Sequence, residues 1–236
     1  MNRQDFQESA IPETLYALSS LEMLSLSMNS IKGTISPSIS KLTNLSIFDL
    51  SRNLLFGEIP ASLEPLANNM RNFRLYHNVL SGTIPTSVMS FGLADGILLQ
   101  GNMLTGTIPN TIGQLTYLQR LEVQGNLLTG RIPSELATLV YLTTFHAFNN
   151  RLSAEENPLC SSEQTFESLS MDCDQVHCPC CTNCCLPTNS GAFMCTTIVC
   201  EVCSGDFLVP IGCTAVEGVD DKWREKAMSC DCVCIR

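Results

Sequence analysis

The sequence lacks the short motifs on which common enzyme active sites are built. It contains no G-x-G-x-x-G, P-loop, G-x-S-x-G or H-E-x-x-H string. Its three histidines, His77, His146 and His177, have no partner at a spacing that implies a catalytic triad or a metal site. The sequence therefore predicts a protein that is not an enzyme and needs no cofactor.

Positive charge and long apolar runs are also scarce. The 236 residues include 13 Lys and Arg against 23 Asp and Glu, and this formal net charge of −10 gives no basic surface suited to nucleic acid. No apolar run reaches the roughly 18 residues that a transmembrane segment requires. Residues 1–8 are polar and contain no apolar core of a signal peptide.

Cysteine is absent from residues 1–159, and all 14 cysteines lie between Cys160 and Cys234. Such a density is typical of a disulfide scaffold in an oxidising compartment. Residues 1–159 carry 9 basic and 12 acidic side chains (−3), and residues 160–236 carry 4 and 11 (−7). We therefore expect two parts, a main unit over 1–159 and a Cys-rich cap and tail over 160–236.

The main unit contains one motif that returns about every 24 residues. Its best copy, Leu118–Pro133, reads L-x-x-L-x-V-x-x-N-x-L-x-G-x-I-P. A fixed period of this kind predicts a leucine-rich-repeat solenoid, with one short inward-facing strand per coil and six strands in a parallel sheet. The Asn after each strand is expected to bond backbone groups of neighbouring coils, forming a ladder of Asn29, Asn53, Asn78, Asn102, Asn126 and Asn150.

The L-x-G-x-I-P ending of each unit resembles the plant-type leucine-rich repeat of receptor-like kinase and receptor-like protein ectodomains. The resemblance implies an α/β-type repeat solenoid with a parallel β-sheet on the concave face. It also implies 3₁₀ or irregular helix on the convex side, often with a second small strand. Ile11-Pro12 fills the ending of an earlier unit. We therefore expect a chain that begins inside a repeat, with any signal peptide or membrane anchor upstream.

Residues that flank the inward positions are expected to point out of the concave face, where solenoids bind partners. Tyr and Arg are favoured at binding hot spots, so two clusters are candidate ligand-binding sites. They are Arg52, Arg74, Tyr76 and His77, and then Glu122, Gln124, His146 and Phe148. The alternative for each residue is an ordinary solvated face. Asn44, in the only N-x-S/T sequon, is a candidate glycosylation site.

The cysteines of the tail are expected to form disulfides, with metal binding and a redox-active pair as alternatives. C-x-x-C spacings occur at 178–181, 181–184 and 200–203, but the even count and the vicinal pairs favour disulfides over zinc. No metal site is therefore predicted. The disulfide candidates are Cys160, Cys173, Cys178, Cys180, Cys181, Cys184, Cys185, Cys195, Cys200, Cys203, Cys213, Cys230, Cys232 and Cys234.

Two further resemblances concern the tail. Asn157-Pro158-Leu159-Cys160 is similar to the C-terminal caps of extracellular leucine-rich-repeat proteins, and this implies a Cys160–Cys173 disulfide. The D-C-x(4)-C-x-C-C-T-x-C-C string that begins at Asp172 resembles the tail of leucine-rich-repeat proteins from diatoms and related algae.

The sequence thus predicts a non-enzymatic recognition module, the extracellular part of a receptor-like protein, that binds a protein, peptide or glycan on its concave face. It would be extracellular or lie at the outer face of the plasma membrane. The alternative is a structural or cell-surface protein whose Cys-rich tail mediates assembly or binds metal.

Overall fold

The structure is a computed structural model, and it describes residues 10–153, 157–161, 165–172, 176, 178, 181–187 and 193–197. Within these ranges the chain forms a solenoid of stacked coils. Each coil contributes one strand to a continuous sheet, and we number the coils by these strands. Coils 1 to 7 hold Met23–Ser25, Ile47–Asp49, Asn72–Arg74, Gly96–Leu98, Arg120–Glu122, Thr144–His146 and Ser168–Asp172.

All neighbouring strands of coils 1 to 7 pair in parallel, and equivalent repeat positions face each other; Leu24, Phe48 and Phe73, for example, are partners in succession. The predicted parallel sheet is therefore confirmed, but it does not end at six strands. Ser168–Asp172 adds a seventh strand, Asn183–Pro187 continues in parallel, and Phe193–Thr197 closes the edge antiparallel. The described part of the Cys-rich region thus extends the solenoid sheet.

The convex side carries one short 3₁₀ helix per coil, as the repeat predicts. Most of them begin beside a proline, because Pro fixes φ near the helical value and needs no backbone donor there, but the helix of coil 3 begins at Glu64, four residues after Pro60. The helices span Glu13–Ala17, Pro37–Lys41, Glu64–Leu66, Thr86–Ser90, Asn110–Gln114, Ser134–Thr138 and Pro158–Ser161.

A second set of short strands lies on the flank between the concave and convex sides. One group pairs Lys32–Gly33, Leu54–Glu58 and Val79–Ser81, and the other pairs Thr129–Arg131 with Arg151–Ser153. The repeat glycine lies in or directly beside these strands, and Gly106, which follows the bridge residue Thr105, has a φ of 75°. A Cβ on Gly106 would lie 2.9 Å from the Thr83 methyl carbon of the preceding coil, so both conformation and packing require glycine.

The core is a continuous column of apolar side chains from successive coils. Phe48 and Phe73 are fully enclosed, with ring centroids 5.6 Å apart, and Phe73 lies 5.4 Å from Phe91. Because each coil packs mainly on its two neighbours, the core grows along the solenoid axis.

The inner asparagines form hydrogen bonds between neighbouring coils. The Asn102 amide nitrogen donates to the carbonyls of Leu75 and Leu99, both at 3.0 Å, and its Oδ1 accepts from the N–H of Leu80 at 3.1 Å. Asn53, Asn78 and Asn126 do the same in coils 2, 3 and 5. Asn29 is exposed, and among the described residues its amide donates to the carbonyls of Leu26 and Ser27 in its own coil.

The ladder ends at a carboxylate. The side chain of Asp172, in coil 7, accepts hydrogen bonds from the backbone N–H groups of Asn149 (2.8 Å) and Asn150 (3.1 Å) in coil 6. A carboxylate with two oxygens can satisfy two adjacent donors at once, and Asp172 therefore closes the ladder on its C-terminal side.

Candidate functional site

The concave face is the surface on which the predicted ligand-binding residues lie. In every coil the residues that alternate with the inward apolar positions point away from the core. The residue just before each ladder Asn has a positive φ: Met28, Arg52, His77 and Asn149, with Gly101 and Gly125 at the same place in coils 4 and 5. Because of this turn, the next side chain enters the core and the side chain before it stays on the surface.

The first predicted cluster is brought together by coils 2 and 3. The Arg52 guanidinium carbon lies 5.8 Å from the centre of the Tyr76 ring, within the range of a cation–π contact. Tyr76 and His77 meet edge to face at 5.4 Å, and the His77 ring covers Gly101, where a Cβ would come within 2.5 Å of Nδ1. Arg52, Tyr76 and His77 therefore form one exposed or half-buried cationic and aromatic cluster.

Arg74, the fourth residue of the predicted cluster, makes its polar contacts with other residues. One terminal nitrogen donates to Asn72 Oδ1 at 2.8 Å, and the other lies 3.8 Å from an Asp49 carboxylate oxygen. Asp49 is itself buried and accepts the Ser51 hydroxyl at 2.6 Å. Arg74 thus neutralises a buried carboxylate, and Arg52 is the more available cation of the cluster.

In the second predicted cluster, on coils 5 and 6, one residue is buried although it was predicted to be exposed. Glu122 is only 7% exposed, and its carboxylate already accepts from Gln100 Nε2 at 2.9 Å and from Arg120. The sequence placed Glu122 among residues pointing into solvent, but its neighbours enclose it. Its role in the structure is to hold Arg120 and Gln100 in place.

His146 and Phe148 lie side by side in coil 6, with ring centroids 6.5 Å apart. His146 Nε2 is 2.7 Å from the Ser168 hydroxyl of coil 7. Burial lowers the pKa of His146 below its ordinary value, Glu122 opposes this change and Arg120 adds to it. The imidazole is therefore held neutral at physiological pH and serves as a hydrogen-bonding group.

A depression of about 650 Å³ lies beside this second cluster and contains residues that the sequence analysis did not select. Arg120, Thr144 and Ser168 occupy the outward position before the first inward residue of each strand, and Tyr141 and Glu167 form part of the rim. The 24-residue spacing of Tyr117 and Tyr141 could have identified the rim, because equal repeat slots lie next to each other. Their rings are stacked 6.1 Å apart, and each residue is 54% exposed.

Gln100 and Gln124 occupy the centre of the concave face, between the two clusters. Each has a buried Oε1 atom without a hydrogen-bond partner. Most buried polar atoms in proteins have a partner, so two unpartnered acceptors in adjacent coils are unusual. Because both oxygen atoms are themselves buried, they lower the stability of this part of the face and are not exposed acceptors.

The other predicted sites lie off this face. Asn44 is exposed, and its amide donates to the Ser19 carbonyl at 3.0 Å. A Cys178–Cys181 disulfide is present, and Cys160 and Cys185 are also disulfide-bonded. Cys184 and Cys195 lie in strands. The remaining candidates, including the Cys173 of the predicted pair with Cys160, lie outside the described residues.

The surroundings of the observed disulfide are compact. Cys160 Sγ lies 3.8 Å from Cys178 Sγ, and the Asn157 amide donates to Cys178 Sγ at 3.1 Å and to the Met171 sulfur at 3.2 Å. Over the part of the chain that the structure describes, no group of three His, Cys, Asp or Glu is placed to hold a metal ion. No helix in the same part has the length and apolar character to cross a membrane.

Comparison with known proteins identifies relatives of the repeat region. A family model described as Leucine Rich Repeat matches residues 20–42, 44–66 and 117–139. Over 67 residues the chain is 40% identical to the LRR receptor-like serine/threonine-protein kinase GSO2 of Arabidopsis thaliana. This match covers 28% of the chain and 5% of that protein.

Two solved Arabidopsis thaliana receptor structures share the fold. The ectodomain of the membrane receptor kinase GASSHO1/SCHENGEN3, in complex with CASPARIAN STRIP INTEGRITY FACTOR 2, is 31% identical with a TM-score of 0.65, over 70% of this chain and 20% of that one. The receptor kinase HAESA, in complex with the peptide hormone IDA and a co-receptor, is 31% identical with a TM-score of 0.58, over 69% and 33%. The chain thus spans a third or less of these relatives' lengths.

Proposed function

We propose that this chain, which is a leucine-rich-repeat protein of the plant type, is a non-enzymatic module whose concave face binds a peptide ligand. The observation that carries the proposal is the cluster of Arg52, Tyr76 and His77. It presents a cation over an aromatic ring on a sheet that the asparagine ladder holds in place. A preformed surface of this kind binds with little loss of conformational entropy.

The relatives favour a peptide over the other predicted ligands. The HAESA ectodomain, which has the same fold, was solved with a peptide hormone bound. For this chain a protein or glycan ligand is the less favoured candidate, because nothing in the described face selects a sugar. The alternative of a structural spacer leaves the exposed aromatic and cationic cluster without a role.

We further propose an extracellular location. The relatives are receptor kinases, and one is described as a plant membrane receptor. The Cys178–Cys181 disulfide in the tail is consistent with an oxidising compartment. The similarity of the tail to algal leucine-rich-repeat proteins stays a prediction, and so do the other cysteine pairings.

Selection from a random peptide library displayed on phage, with the oxidised full chain as bait, tests the function. We expect enriched peptides whose affinity falls about tenfold for Tyr76→Ala, since removal of a hot-spot aromatic costs more than about 1 kcal/mol. Phe56→Ala is the matched control, because Phe56 is an exposed aromatic residue, 44% accessible, on the flank. An absence of enriched peptides, or an equal effect of both substitutions, would refute concave-face peptide binding.

A further inference from the structure

The concave face has opposite charge in its two halves. Coils 2 and 3 and the residues just before their strands carry three cations against one carboxylate, a net charge of +2: Arg52, Arg71 and Arg74 against Asp49. Coils 4 to 7 carry one cation against four carboxylates, a net charge of −3: Arg120 against Asp95, Glu122, Glu167 and Asp172. Coil 1 adds Glu22 at the solenoid end. The charge therefore changes sign once along coils 2 to 7.

Several of these charges are already used inside the protein. Arg74 approaches Asp49, Arg120 binds Glu122, and Asp172 accepts two backbone N–H groups. The charges without an ion pair among the described residues are Arg52 and Arg71 in the basic half and Asp95 and Glu167 in the acidic half. These four are the groups that an incoming ligand can pair with.

The acidic half also contains a site shaped for a side chain. The depression of about 650 Å³ is lined by the Glu167 carboxylate, the Tyr141 ring and hydroxyl groups, including those of Thr143 and Ser168. An aromatic face beside a carboxylate attracts Lys or Arg through both cation–π and charge interactions. Arg120 is present but is held by Glu122.

Between the two halves, coils 4 and 5 have glycine at positions 101 and 125, so no side chain projects from these two positions. The backbone of an extended peptide can therefore come closer to the sheet there than it can over a larger residue.

Together these observations point to one ligand chemistry, and the inference rests on the proposed function. We propose that the ligand is an extended peptide with an acidic group over coils 2 and 3 and a basic side chain in the depression of coils 5 to 7. From coil 2 to coil 7 the strands advance five steps of about 4.8 Å, or about 24 Å. A peptide must therefore separate its two charged groups by about seven or more residues at roughly 3.3 Å each.

The test uses the displayed random peptides, about 12 residues long so that they span both halves, and a charge-swapped protein. We expect the wild-type chain to select peptides with acidic residues near one end and basic residues near the other. The double variant Arg52→Glu, Arg71→Glu should bind these peptides at least fivefold more weakly, the range expected for two exposed ion pairs. It should instead select peptides that are basic at both ends.

The matched control is Arg131→Glu, which reverses an exposed charge on the flank and should leave the selected sequences unchanged. If the wild-type chain selected peptides without charge order, or the swapped variant kept the wild-type preference, the charge inference would be wrong while peptide binding held. If no peptide were enriched, the proposed function itself would fail. Circular dichroism of the swapped variant, expected to match the wild type, excludes misfolding as the cause of a changed preference.

Discussion

Replacement of Asn102 by Ala should separate the energy of the ladder from that of the apolar core. In the native protein the Asn102 side chain makes three hydrogen bonds, to the Leu80 N–H and to the Leu75 and Leu99 carbonyls. After the substitution the Leu80 N–H has no side-chain partner. The two carbonyls keep one ladder bond each, from Asn78 and from Asn126 respectively.

The magnitude follows from this count. A buried N–H without a partner costs about 1–3 kcal/mol, and each lost hydrogen bond at a carbonyl that keeps another partner costs about 0.5–1 kcal/mol. The expected loss is therefore about 2–5 kcal/mol of the free energy of unfolding. Asn29→Ala is the matched control. It removes two bonds from an exposed side chain, so its cost should stay below about 1 kcal/mol.

Urea unfolding followed by circular dichroism measures both variants. Because a solenoid does not always unfold in one step, hydrogen exchange of the amides in coils 3 to 5 should accompany it. We expect Asn102→Ala to raise exchange at Leu80 above all. Equal losses for the two variants would show that burial of the ladder is not what makes it stabilising, and the reasoning above would then be refuted.

Two further substitutions test the turn and the buried histidine. Gly106→Ala should lower the unfolding free energy by about 1–2 kcal/mol, because φ at residue 106 is 75° and the new methyl group would contact Thr83. Gly92→Ala is the control, because no atom lies within 4 Å of the Cβ position at residue 92. Combining Thr83→Ser with Gly106→Ala should recover only the part of the lost unfolding free energy that comes from the steric contact. Full recovery of stability in this double variant would exclude backbone strain at residue 106. Since the pKa of His146 is lowered in the folded state, the unfolded state binds the proton first and stability should fall as pH decreases below about 6.5. Urea midpoints across this range should show a smaller decrease for His146→Gln, and an unchanged slope would contradict the assignment.

The inward half of each repeat could be predicted closely because it follows from a simple period. The strand in each coil, the parallel sheet and the 3₁₀ helices of the convex side agree with the expectation, and the inner asparagines bond the neighbouring coils. Few residue types are possible at these positions. A stacked coil requires an apolar side chain, a glycine or an asparagine amide that bonds the backbone of neighbouring coils.

The outward half was predicted with less success, and Glu122 shows why. Alternation along a strand gives the face of a side chain, but its exposure depends on residues one coil away. Gln100 and Arg120 enclose Glu122, and neither relation is visible as a sequence pattern. Arg120, Thr144 and Ser168 were missed for a related reason, because they precede the first inward residue of their strands and the predicted face was limited to the outward positions after it.

What the sequence determined by itself is the solenoid: a 24-residue period sets the coil, the sheet and the ladder, since every coil satisfies the same local rules. What only the tertiary structure decided is which surface charges remain available. Among the described residues Arg52 has no ion pair while Arg74 is paired with a buried carboxylate, because ion pairing depends on side chains brought within about 4 Å by neighbouring coils. The extension of the sheet beyond coil 6 was also decided there, since Ser168–Asp172 keeps only the two inward apolar positions of the repeat, Leu169 and Met171, and pairs with the backbone groups at the edge of coil 6.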